Sequence, residues 1–85
     1  MTEFPSEADL ADALTAAASA HHNYEQETLK GVRDAQWSGF YAAFALGRLG
    51  EFATPDVLVR LLEDAPGRGD WASEASRHVI RELAG

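Results

Sequence analysis

Residues 37–49, Trp-Ser-Gly-Phe-Tyr-Ala-Ala-Phe-Ala-Leu-Gly-Arg-Leu, constrain the fold of this chain more than any other stretch. Wound as a helix at about 100° per residue, they place Trp37, Phe40, Tyr41, Phe44 and Arg48 on one stripe. Gly39, Ala42, Leu46 and Leu49 fall on roughly the opposite one. A surface helix needs a single apolar stripe, whereas a helix apolar on all sides is buried. The segment from about 35 to 49 is therefore expected to be the buried hub of a small helical bundle. Gly39 and Gly47 lie inside it, each costing about 1 kcal/mol relative to alanine, which close approach of another helix would offset.

The flanking sequence supplies the other helices. Ser6 and Asp9 form a capping-box-like pair, with Glu7 and Asp9 at the positive end of the helix dipole. From there Leu10, Ala13, Leu14, Ala17, His21, Tyr24 and Thr28 recur at three- and four-residue spacing. This predicts a long first helix to about Leu29, ended near Gly31. Residues 1–5 are expected to be a flexible arm, with Phe4 stapling the helix start. Asp34 is the expected cap of the hub. Thr54-Pro55 combines a capping hydroxyl with proline at the first helical position, predicting a third helix to about Ala65 with Val57, Leu58, Leu61 and Leu62 inward. Pro66-Gly67-Arg68-Gly69 breaks the chain. Asp70 then caps a last helix whose apolar side is Ala72, Ala75, Val79 and Leu83. No window alternates as a strand would, so the expected class is all-α, one domain of about four helices over residues 1–85.

Composition narrows function by exclusion. One lysine and six arginines against fourteen acids give a net charge of −7, the wrong sign for phosphate neutralisation, so no nucleic-acid partner is expected. Without cysteine there are no disulfides or thiolate zinc sites, which suits a cytoplasmic setting. No apolar run reaches the roughly 18 residues of a membrane span, and the acidic start lacks the basic region of a signal peptide. Abundant alanine and the excess of arginine over lysine point to a GC-rich bacterial genome.

Two resemblances add to this reading. Ala42-Ala43-x-Ala45-Leu46-Gly47-x-Leu49-Gly50, then Thr54-Pro55 through Leu61-Leu62-Glu63-Asp64, then Ala72 to Leu83, resemble a HEAT-type repeat of phycobilisome-lyase-like proteins. The resemblance covers residues 41–83 and implies a protein-interaction scaffold. About one and a half units are present, whereas a stacked array needs at least three, so shared helix-pair geometry is what it implies. Further upstream, His21-His22-x-Tyr24-Glu25 followed by Asp34-x-x-Trp37-x-x-Phe40-Tyr41-Ala42 is similar to a pattern in small helical bacterial proteins of uncharacterised function. That resemblance spans about residues 17–49 and implies a fold but no chemistry.

Few residues offer chemistry. His21, Tyr24 and Glu25 share the first helix's stripe, and Trp37, Tyr41 and Arg48 share a face of the hub. If those faces meet, they line a cleft suited to a small anionic or aromatic ligand, the guanidinium for a carboxylate and the rings for apolar area. The competing structural reading makes His21 and Tyr41 satisfied core residues, with Arg48 paired to an acid such as Glu25. A helix-borne zinc site takes histidines at i and i+4. Here His21 meets Glu25 at that spacing, His22 points about 100° away and His78 lies on another helix, so neither a metal nor a cofactor is expected. Glu74, His78 and Glu82, four apart, read as a solvated ladder. Glu63, Asp64 and Asp70 around the glycine-rich break lack EF-hand spacing. No catalytic residue is expected, His21 being the one acid–base candidate. Trp37, Phe40, Phe44 and Trp71 are the expected interface residues, since tryptophan is enriched at binding hot spots. The expected function is a protein-interaction module, binding another protein or itself as a homodimer. The alternative is a small-molecule-binding module using the cleft.

Overall fold

Ser6 starts the first helix as its position requires: its Oγ accepts the Asp9 N–H at 3.0 Å. In the computed structural model, which describes residues 4–28, 36–65 and 70–85, α1 runs Glu7–Glu27. The expected stripe is buried from Leu10 through Ala13, Leu14 and Ala17 to His21, while Tyr24 and Thr28 are exposed. Phe4 stands 46% exposed and so does not close over the helix start as a staple. The expected stop at Gly31 and cap at Asp34 lie outside the described residues.

Helix α2 spans Trp37–Leu49, preceded by Gln36, whose side chain makes no capping bond. It ends at Gly50, which takes φ 95° and donates its N–H to Leu46 O at 2.9 Å. That left-handed conformation favours glycine. Phe52 then turns inward to 5% exposure, its N–H donating to Gly50 O at 2.9 Å. Helix α3 (Pro55–Asp64) follows with proline in its first turn and Thr54 extended at the cap position. The expected capping bond from the Thr54 hydroxyl does not form. Helix α4 (Trp71–Ala84) is capped by Asp70, whose carboxylate accepts the Ser73 N–H at 3.4 Å and the Ser73 hydroxyl at 2.8 Å. The expected break at 66–69 lies outside the described residues.

The helices pack as a closed ring: α1 on α2, α2 on α3, α3 on α4 and α4 back on α1. Leu10, Leu14, Leu58, Leu62 and Val79 fill the centre, each at most 1% exposed. The end of α1 meets the start of α2, and the end of α3 meets that same start, as the contacts below show. Successive helices therefore run antiparallel. This is an all-α four-helix bundle, with no strand among the described residues.

Helix α2 is not buried on all sides. Ser38, Ala42 and Ala45 are buried, Trp37, Phe40, Tyr41, Phe44, Leu46 and Leu49 are half-buried, and Gly39, Ala43, Gly47 and Arg48 are exposed. In a four-membered ring each helix has two neighbours, so an all-round apolar helix keeps one side open. Nor do the two glycines mark close helix approach within the chain, because a Cβ at either would meet nothing within 4 Å.

Candidate functional site

The residues singled out from sequence gather at one end of the bundle, where α1 ends and α2 and α4 begin. His21 is buried at 7% exposure. Its ring meets Phe40 at 5.0 Å between centroids and Tyr41 at 5.4 Å. Tyr24 stacks on Phe40 at 5.5 Å. Tyr41 meets Trp37 at 5.6 Å and Trp71 at 5.4 Å, both edge-on, and the two indoles touch at 5.7 Å. Edge-to-face pairs at these separations are favourable, each adding about 0.5–1.5 kcal/mol beyond area burial. Helical spacing explains the convergence: His21 and Tyr24 are three apart, and Trp37, Phe40 and Tyr41 lie within a turn. The Asp70 cap fixes where α4 begins and so brings Trp71 into the group.

Glu25 borders this cluster, its Oε1 3.8 Å from His21 Nδ1. Burial, and secondarily the Glu25 charge, push the Tyr41 phenol above its ordinary value. Tyr41 therefore stays protonated at neutral pH. Because the folded value exceeds the unfolded one, its contribution to stability is complete below about pH 10 and is lost as pH rises through the folded value. Alkaline denaturation of Tyr41→Phe should accordingly show a shallower loss of stability above pH 10 than the wild type, read by circular dichroism.

Two candidates stand outside the cluster. Arg48 is exposed, two turns beyond Tyr41, and forms no ion pair with Glu25. Phe44, one turn beyond Phe40, is half-buried and joins no ring contact. His22 is exposed. The anticipated ladder on α4 does not form: Glu74 bonds Arg77 at 3.3 Å, Arg77 reaches Glu7 of α1 at 3.7 Å, and His78 Nε2 is buried with no hydrogen-bond partner. Among the described residues no three potential ligands cluster around a metal position, and no helix is long and apolar enough to cross a membrane.

Sequence reasoning missed two features. Ser38 Oγ donates to Glu63 Oε2 at 2.6 Å, a charge-assisted bond tying the start of α2 to the end of α3. The signal was present, since Ser38 shares the i, i+4, i+7 face of Ala42 and Ala45. The second is a cavity of about 530 Å³ at the α2–α3 corner, walled by the chain between Leu46 and Pro55. A smaller hollow of about 170 Å³ lies beside the Glu7–Arg77 pair. Neither touches the aromatic cluster.

The geometry defines a four-helix bundle with an aromatic end and an apolar helix open along one side. No family model matches the chain, and no curated protein or solved structure is significantly similar to it.

Proposed function

We propose that this chain is a protein-interaction module that self-associates through the uncovered side of α2, in a cytoplasmic, bacterial setting. One observation carries the reading: an apolar helix that its own bundle leaves open along one side. Gly39, Ala43 and Gly47 run along the open side at four-residue spacing, with half-buried Phe40 and Phe44 beside them. Removing such surface from water contributes about 25 cal/mol per Å². The HEAT-like pattern over residues 41–83 supports an interaction role. Trp37 and Trp71, also half-buried, belong to the adjoining aromatic end.

The sign of the charge yields a test. Two copies carrying −7 each repel, and salt screens that repulsion, the Debye length shrinking to about 3 Å at 1 M. Sedimentation velocity should show a dimer that tightens as sodium chloride is raised. A chain monomeric at high micromolar concentration and high salt would end the self-association reading. The alternative, a small-molecule module at His21, Tyr24, Glu25, Trp37, Tyr41 and Arg48, has most of its residues together. Their rings are in mutual contact, however, and neither of the two cavities described above touches them. A metabolite screen by Trp fluorescence tests it.

A further inference from the structure

The corner between α2 and α3 combines space, apolar walls and one charge. Leu46, Phe52, Ala53 and Pro55 line it, and the cavity's roughly 530 Å³ lies within the range of about 300–1,000 Å³ typical of small-molecule sites. The Gly50 turn and the inward anchoring of Phe52 set its shape. Gly47 lines it too, and a Cβ there would meet nothing within 4 Å. Glu51 is the only charged residue lining it among the described residues, and its carboxylate makes no hydrogen bond or ion pair with any of them. Arg48, one turn before it, forms no ion pair with it. The net charge of −7 keeps the surrounding field negative.

We infer that this cavity binds small organic cations, an ammonium group on an aromatic or branched apolar body, with Glu51 holding the charge and Leu46, Phe52 and Pro55 the body. The site is open on one side, so affinity is modest. A ligand of about 12 non-hydrogen atoms at ordinary ligand efficiency binds with Kd near 1 mM.

The test uses three probes sharing one ring system: tryptamine (cation), tryptophol (neutral) and indole-3-acetate (anion). Each is titrated into the ¹⁵N-labelled chain and followed by amide shifts. Tryptamine should shift Gly47, Gly50, Phe52 and Ala53 saturably, about fivefold more tightly than tryptophol, the factor that a solvent-exposed ion pair worth about 1 kcal/mol gives. Indole-3-acetate should be weakest. Glu51→Gln should bring tryptamine down to tryptophol's affinity, and Gly47→Leu, whose Cβ has room and whose branches extend into the space, should abolish binding of both. Equal affinity for all three probes, wild-type binding by either variant, or shifts confined to the aromatic end would each overturn the inference. So would no shift at 10 mM, roughly ten times the expected Kd. Self-association is read separately by sedimentation of the same variants.

Discussion

Ala43→Glu should abolish self-association while leaving the monomer intact. Ala43 is exposed at the middle of the open α2 side, flanked one turn away by Gly39 and Gly47. A glutamate there places a long side chain and a like charge between the two helices, since each partner already carries −7. A buried unpaired charge costs several kcal/mol, so the dimer constant should fall by about a hundredfold or more. Exposed substitutions in helices change stability by about 0.5 kcal/mol or less, so the midpoint of chemical denaturation measured on dilute monomer should hardly move. Unchanged sedimentation would place the interface elsewhere.

Trp71→Ala should cost about 2–3 kcal/mol, just below the range of about 3–5 kcal/mol for fully buried aromatic truncations because the indole is half-buried. It removes edge contacts to both Trp37 and Tyr41 and unpins the start of α4. For a domain of this size that lowers Tm by roughly 10–20 °C. A double-mutant cycle with Tyr41→Phe separates ring contact from hydroxyl, because Phe retains the edge-to-face geometry. Loss of less than 1 kcal/mol would show that the cluster is a loose surface assembly.

Sequence alone made the helices legible because their ends carry local chemistry: Ser6, Pro55 and Asp70 each act within three residues of themselves. The inward faces followed for the same reason, from spacing along a single helix. The hub was misjudged because its burial depends on how many neighbours surround it, a property of the ring rather than of residues 37–49. The candidate site was half legible. His21, Tyr24, Trp37 and Tyr41 converge because they share helix faces near matching ends, whereas Arg48 continues their stripe but lies too far along α2 to reach them. The Glu63 partner of Ser38 and the cavity behind Gly47 arise between elements, where no periodicity announces them.

The edge contact between Trp37 and Trp71 makes the molecule's intrinsic fluorescence a one-ended probe. Both tryptophans of the chain report the same corner, about 20 Å along α2 from the Gly50 turn, where there is none. Emission therefore follows the melting of the aromatic end alone, while circular dichroism follows all four helices. Superimposable transitions by the two would mean that this small bundle unfolds as one cooperative unit.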